Sequence, residues 1–442
     1  MSAQRCTFAR FRTTVVSVGR HRGQPRIYLE GRWLIDAGFQ PGNAFEARFQ
    51  TGRLELSLSE HGRSVSSKRS RRVAVIDLHC AAIDRILGGV EKVTVHAEHH
   101  RLIITPERIA LQRSKRQLTP TAVSLFAGGG LLAEAARQAG FQTLAAVELD
   151  GRYADIFQLN HGGRMYACSI EQVPWEQLQQ MVEAHGPLGL LEMGLPCEPF
   201  SRIRRLDRGG QTKRDGALPP EAHEFGDLVY FAIKAADLLN PHTVIIEEVP
   251  PFLESGAGWI LRGALARLGY TVDARVLDPR DHGGLTARAR AAIVATSFNR
   301  VCWPEPVEQQ RRVGEILDDV ADDSPLWFDA ATKPWLYQHW ERQRERGNGF
   351  VPPRLTGDES SCPTIKKRYF AGQGDNPVVQ HPRDPSKHRW LTVDEVRRLM
   401  EVPVDYQLGD AITVAGEVLG QGVHVETFRQ LIEAVAGSTV SA

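Results

Sequence analysis

Residues 122–150 constrain the fold of this chain more than any other stretch. Ala122–Phe126 is a short, almost wholly apolar run of strand type, and it runs into the glycine turn Ala127–Gly130. A helical segment, Leu131–Ala139, follows and is closed by Gly140, and Thr143–Asp150 is again strand-like. Strand, glycine turn, helix and strand in this order predict a parallel sheet built with right-handed crossovers. Further apolar runs at Leu188–Met193, Thr243–Glu247, Thr271–Leu277 and Ala291–Ala295 supply the later strands of an α/β domain. A glycine-rich turn between the first strand and its helix lets a ligand approach the backbone closely. Glu148, about twenty residues on at the end of the second strand, is placed to accept hydrogen bonds from ribose hydroxyls. The Gly-x-Gly-x-x-Gly pyrophosphate pattern is incomplete, because position 133 is Ala. A single adenosine unit therefore fits as well as a dinucleotide.

The segment Gly194–Arg205 (GLPCEPFSRIRR) places Cys197 directly after Pro196, in a turn that follows an apolar strand. Such a turn presents a thiol at the carboxyl edge of the sheet, where open α/β sheets bind ligands. About fifty residues later, Val244–Phe252 (VIIEEVPPF) ends a second strand in carboxylates. A nucleophile and a carboxylic acid on neighbouring strand ends is an arrangement for covalent catalysis. Arg288 and Arg290 follow a Gly-Gly turn and open another strand, where arginines can hold a polar substrate bidentately. Taken singly, each feature has a plain structural reading: a tight turn, a buried cysteine, a surface charge. Their combination carries the chemistry.

The first 115 residues have a different texture. Arg26–Glu30, Phe45–Phe49, Arg53–Leu58, Lys92–Ala97 and Arg101–Thr105 alternate with period two between glycine-containing turns, which predicts β-hairpins. Ile27–Glu30, a helical patch and Phe45–Ser57 recur as Ile76–His79, a helical patch and Val93–Thr105. Two copies of one β-unit predict a pseudo-symmetric small barrel. Net charge is only +1, but basic residues cluster at Lys68–Arg72, Arg202–Arg205, Arg342–Arg346 and Lys366–Arg368. Clusters matter more than the total for phosphate contact. The 6 cysteines are scattered without CxxC or metal-type spacing, so neither a disulfide scaffold nor a metal site is expected. Without a signal-peptide pattern or a long apolar run, a soluble cytoplasmic protein with no membrane partner is expected.

Several motifs in order resemble the cytosine-5 DNA methyltransferase family over residues 121–437. Ser124–Gly130 is similar to its first motif, Val147–Asp150 to the second and Gly194–Ser201 to the fourth. Glu247–Pro250 resembles the Glu-Asn-Val motif, Asp281–Arg290 the Gln-x-Arg-x-Arg segment, and Arg389–Leu399 and Gly420–Val423 the ninth and tenth motifs. The resemblance implies a Rossmann-like methyltransferase sheet that uses S-adenosylmethionine and acts on double-stranded DNA. Phe126, Ala127, Gly128, Gly130, Glu148, Leu149, Ser169, Ile170, Pro196, Gln421 and Val423 would hold the cofactor. Cys197 would attack carbon 6 of a flipped cytosine and Glu247, as a neutral acid, would hold the ring nitrogen and exocyclic amine, while Arg288 and Arg290 would hold the base and the catalytic loop. The implied domains are a β-domain at 1–115, catalytic residues 120–298, an irregular target-recognition lobe at 299–388 and a carboxyl-terminal segment at 389–442 that completes the catalytic domain. Ser201–Glu224 would be the mobile catalytic loop. The first β-copy, Leu29–Gly42, resembles the AbrB-type swapped-hairpin family, which implies DNA contact or a homodimer through this domain. A cognate restriction endonuclease is a further implied partner.

The chain departs from the family pattern at Glu198, Glu248, Thr286, Ser169 and Gln421. Two extra carboxylates beside a flipped cytosine keep two alternatives open. One is a tRNA cytosine-5 methyltransferase; the other is a catalytically altered DNA-binding relative.

Overall fold

A computed structural model of the chain describes residues 12–437, apart from 51, 69–72, 108–118, 199, 201–224, 299 and 348–352. The expected catalytic loop and most of the Lys68–Arg72 run lie outside the described residues. Two compact units are present, Met1–Arg116 and Gln117–Ala442.

In the first unit, β1 (Arg12–His21), β2 (Gln24–Gly31), β3 (Ala44–Gln50), β4 (Arg53–Ser59), β5 (Arg63–Ser64), β6 (Ser66–Lys68), β7 (Val73–His79), β8 (Lys92–Glu98) and β9 (Arg101–Pro106) form one antiparallel sheet. Its order is β5-β3-β4-β9-β8-β1-β2-β7-β6. Only Val65 separates β5 from β6, so the two ends of the sheet are held by consecutive chain, and the sheet nearly closes into a barrel. The repeat read from the sequence is physical. Ile27 pairs with Leu78 and Leu29 with Ile76 across β2 and β7; Leu54 pairs with Ile104 and Leu56 with Leu102 across β4 and β9. Each copy thus pairs with its counterpart about a pseudo-two-fold axis. Alternation sends one face inward: Ile27, Leu29, Leu54, Leu56, Ile76, Leu78, Val93, Val95, Leu102 and Ile104 join Leu34, Phe39, Phe45, Ile83 and Leu87 in one core. Each such side chain contributes about 1.5–3 kcal/mol of burial.

In the second unit, β10 (Thr121–Leu125), β11 (Gln142–Glu148), β12 (Arg164–Ala167), β13 (Leu190–Gly194), β14 (Thr243–Glu248), β15 (Thr271–Leu277) and β17 (Arg290–Thr296) form a sheet of order β12-β11-β10-β13-β14-β17-β15; the short β16 (Thr286–Ala287) lies outside it. The run from β12 to β14 is parallel. β17 corrects the expectation of an all-parallel sheet: it enters between β14 and β15 antiparallel to both. Residues 278–289 between β15 and β17 carry a 3-10 turn, Pro279–Asp281, and β16, and no crossover helix, which a parallel return would need. The order reverses at β10, so the carboxyl edge opens a crevice between the turns after β10 and β13.

The stretch after residue 299 is largely irregular, as expected, but it holds the helix Pro334–Glu345, opened by proline at its first position. Leu336 and Trp340 of that helix pack with Phe328 and Val378 in a small cluster of their own. Val313, Ile316, Leu355, Ile365 and Tyr369 instead join the main core. The helix Val393–Leu399 is capped by Thr392 and Glu395, whose side chains satisfy each other's backbone N–H groups. Arg389, buried beneath it, holds Glu395 bidentately at 2.6 and 2.7 Å. The last helix, Val425–Gly437, packs on the helix Leu131–Gln138.

Candidate active site

Several chain segments meet at the carboxyl edge of the parallel strands and enclose a cavity of about 500 Å³, within the ordinary range of small-molecule sites. The turn after β10 forms one wall. Phe126 adopts φ 53°, a left-handed conformation that a non-glycine residue rarely accepts, and Gly128 and Gly130 follow at 54° and 89°. A Cβ on Gly129 would lie 2.5 Å from Val418 Cγ1, so only glycine fits there. The turn is also braced from behind. His161 Nε2 donates to Gly130 O at 3.0 Å, and the Tyr406 hydroxyl donates to Gly129 O. Burial drives the His161 pKa down to about 4, so this brace is neutral.

Glu148 ends β11 facing this turn. Its carboxylate accepts from Gly128 N at 2.7 Å and from Asp150 N at 2.8 Å. Burial raises its pKa, while these backbone donors act in the opposite sense. Leu149, 66% exposed, offers an apolar face at the rim. Ser169, whose hydroxyl donates to Glu171, and Ile170 line the cavity beyond it, with Val423 and Gln421 on another side. Gln421 Nε2 donates to the Tyr153 hydroxyl at 2.9 Å, and that hydroxyl donates to Glu417 at 2.7 Å.

Pro196 and Cys197 follow β13 and line the same cavity. The Cys197 side chain reaches solvent at the cavity mouth, yet protein walls surround most of it. That enclosure, then Glu248, Glu247 and Glu198, push its thiol pKa up to about 12 against the pull of Arg290, so the free protein holds a thiol. Glu247 ends β14, and its Oε1 lies 2.7 Å from Arg290 Nε in a largely buried ion pair. Burial raises Glu247 out of the usual carboxylate range, with Arg290 and Arg288 acting against it. Glu248 points to the other side of the strand, accepts from Val249 N, and is pushed well up by burial.

The structure therefore brings Phe126, Ala127, Gly128, Glu148, Leu149, Ser169, Ile170, Pro196, Cys197, Glu247, Arg290, Gln421 and Val423 to one cavity. It does not place Gly130 or Arg288 on the walls. Gly130 caps the helix Leu131–Gln138. Arg288, 2% exposed, donates to Gly422 O, Gly420 O and Ile365 O at 2.8, 2.9 and 3.0 Å. Its donors are committed to three carbonyls, which fixes the wall that carries Gln421 and Val423. Thr286 is fully buried in β16, paired with Cys362. Sequence reasoning missed Tyr153, Lys367, Leu228 and Glu192 as wall residues. Only Glu192 left a signal, an acid inside the apolar strand Leu190–Met193.

Residues 121–437 match the family described as C-5 cytosine-specific DNA methylase. The chain is 26% identical over 321 residues to the type II methyltransferase M.NlaX of Neisseria lactamica, covering 70% of this chain and 94% of that protein. It is 29% identical over 293 residues to the type II methyltransferase M.AgeI of Thalassovita gelatinovora, covering 64% of each. The fold is similar to that of Schizosaccharomyces pombe (S. pombe) Dnmt2 methyltransferase, with TM-score 0.55, 20% identity, and coverage of 72% of this chain and 98% of that one. Entamoeba histolytica methyltransferase EhMeth is similar in fold at TM-score 0.56 and 15% identity, covering 73% of this chain and 99% of that one.

Proposed function

The chain belongs to the C-5 cytosine-specific DNA methylase family, whose members use S-adenosylmethionine, and from that premise we propose how its cavity performs the reaction. The observation that carries the proposal is one cavity with Glu148 and the glycine turn at one end and Cys197, Glu247 and Arg290 at the other.

The residues present fit a charged nucleoside donor. Gly128 has open space where a Cβ would point, so backbone is bare to a ligand. A buried carboxyl oxygen, Glu192 Oε1, lacks a partner in the cavity floor. Glu148 would hold the ribose hydroxyls, Leu149 and Ile170 the base, and Gln421 and Val423 the facing side. When bound, S-adenosylmethionine supplies an electrophilic methyl group for carbon 5 of cytosine.

The chain's own residues make that carbon nucleophilic. Cys197 gives its thiol proton to solvent and Sγ bonds to carbon 6, while the 5,6 π electrons shift to the 4,5 bond and the 4,3 π electrons move onto the ring nitrogen. Glu247, whose pKa is raised by burial against the pull of Arg290 and Arg288, acts as the acid, giving a proton to that nitrogen and accepting from the exocyclic amine. Arg290 holds the glutamate that remains as an anion. After methylation, carbon 5 loses its proton to solvent, the Sγ–carbon 6 bond breaks and the leaving thiolate takes a proton from solvent, and the ring nitrogen returns its proton to Glu247. The thiol is protonated in the free protein, so attack waits for the base to enter. That arrangement limits idle thiolate chemistry.

We further propose that the substrate is double-stranded DNA read in a sequence-specific manner, with residues 300–390 supplying the base contacts. Their aromatics and the Lys366–Arg368 run support this. The near-barrel of the first unit reads as an intrachain version of a swapped-hairpin pair that raises DNA affinity. Removing residues 1–116 would then leave methylation intact but make the salt dependence of binding shallower. Bisulfite sequencing of plasmid DNA from cells making the protein tests the central reading. Converted cytosines at one recurring sequence are expected, and a methylation-free plasmid would overturn it.

A further inference from the structure

One buried acid has no part in the chemistry above. Glu192 sits in β13 between Leu191 and Met193, is 1% exposed, and lines the cavity floor. In register it pairs with Ser124 of β10, so the two side chains share a face of the sheet. Glu192 Oε1 has no well-aligned hydrogen bond, and the one side chain acting on this carboxyl is the Ser124 hydroxyl. Among the described residues no lysine, arginine or histidine forms an ion pair with Glu192. An apolar residue here would cost nothing, whereas a buried carboxyl with one oxygen unsatisfied carries a desolvation penalty. The polar atom therefore points to something that enters the cavity.

Position identifies what enters. In the sheet, β10 lies between β11 and β13. Glu148 closes β11 and Cys197 follows β13, so the Ser124–Glu192 pair lies under the span between the ribose end and the reacting thiol. On the reading that the cavity holds S-adenosylmethionine, that span takes the donor's sulfonium and its amino-acid end. We infer that Glu192 is a positioning residue for the methyl donor, receiving the cationic amino-acid end on its carboxylate. Burial pushes the free carboxyl up to about 8, with Ser124 acting in the opposite sense. The other groups facing it are the Tyr406 hydroxyl and, around that hydroxyl, Glu134, Arg137 and His161, all in internal pairs. At neutral pH the carboxyl is thus protonated in the free protein. As the ammonium docks, the proton passes to buffer and the new ion pair replaces the penalty. The sulfonium adds a second positive charge nearby, so the donor gains more from Glu192 than its demethylated product does.

Calorimetry on the full chain tests this with three probes: S-adenosylmethionine, S-adenosylhomocysteine and 5′-methylthioadenosine, which lacks the amino-acid end. Titrations at pH 7 in buffers of different ionisation enthalpy count released protons. The wild type should release a proton with the first two probes and none with the third. Glu192→Gln should abolish that release and weaken the first two about 10- to 100-fold, leaving 5′-methylthioadenosine unchanged. Glu192→Asp should restore part of the release. Wild-type affinity and proton release in Glu192→Gln would overturn the assignment. Equal weakening of all three probes would also overturn it, because the nucleoside alone would then depend on Glu192. If the wild type binds none of the three, the reading of the cavity falls and this inference falls with it.

Discussion

Three acids of the near-barrel and the acids at the carboxyl edge of the catalytic sheet live under opposite rules. In the near-barrel the three sit in ion pairs near the surface. Asp77 faces Arg26 at 2.7 Å, Glu55 faces Arg101 at 2.7 Å, and Glu30 faces Lys68 at 2.6 Å. The Arg26 hydrogen bond holds Asp77 below the usual carboxylate range, and Arg101 does the same for Glu55. At the carboxyl edge of the catalytic sheet, Glu148, Glu192, Glu247 and Glu248 are all raised, each chiefly by burial. The barrel pairs are solvated, cost little and stabilise little. The edge of the catalytic sheet holds its acids largely out of water, a cost that is justified only when a ligand arrives. One residue type therefore serves two ends according to the environment it is given.

The sharpest break of this contrast is at Cys197. Cys197→Ser should lower methyl transfer by on the order of 10⁴-fold or more while keeping cofactor affinity. Single-turnover assays measure this, and wild-type turnover would end the covalent mechanism. A duplex with 5-fluorocytosine at the target should trap the wild-type protein covalently, because fluorine cannot leave as a proton does.

The pH dependence of folding should show the two rules as opposite signs. A raised acid binds its proton more tightly in the folded state. Its contribution is full below the ordinary carboxylate range and is lost as pH rises through the folded value, about 8 for Glu192. Glu192→Gln removes that dependence. Relative to wild type it should become progressively more stable between pH 5 and 8, by roughly 3–5 kcal/mol at most. Asp77 and Glu55 run the other way, stabilising above the ordinary range and losing that contribution as pH falls. Denaturant melts of the unliganded chain across pH measure both trends, and a flat difference between Glu192→Gln and wild type would mean that Glu192 is not held in its neutral form.

Glu148→Ala should weaken cofactor binding by about 1–3 kcal/mol with DNA affinity nearly unchanged, and unchanged calorimetric affinity would remove it from the ribose site. The smallest effect belongs to the barrel. Asp77→Asn should shift the thermal midpoint by about 1–3 °C at most. A larger shift in a scanning melt would show that the exposed pair does more than its solvation allows.

Much of this was legible before the structure. The apolar runs marked β10, β11, β13, β14 and β17, because fully buried strands must be continuously apolar; β15, only partly buried at the end of the sheet, was marked by the apolar residues that alternate with Asp273 and Arg275. The internal repeat predicted the paired halves of the near-barrel. β12 escaped notice: Arg-Met-Tyr-Ala is a four-residue edge strand with no periodic signature. β1 was not singled out either, since most of its length is polar or exposed and its place between β2 and β8 is decided by tertiary pairing. The reversed direction of β17 left no trace in composition. At the site, the motif residues converged, but the placement of Arg288 depended on where the distant segments at Ile365 and 420–422 would pass. No local pattern encodes that.

That last placement has a consequence for the making of the protein. The strand, turn and helix at 121–138 leave the ribosome early, yet their support comes late. Val418 and Gly422 press on Gly129 and Leu131, and the helix Val425–Gly437 covers the helix Leu131–Gln138. Arg288 reaches forward for carbonyls at 365, 420 and 422. A nascent chain not yet extended through Gly437 has the nucleophile, the acid and the glycine turn, but lacks the wall at 418–423 and the helix that backs the turn. Chains truncated before Val425 should therefore bind cofactor poorly.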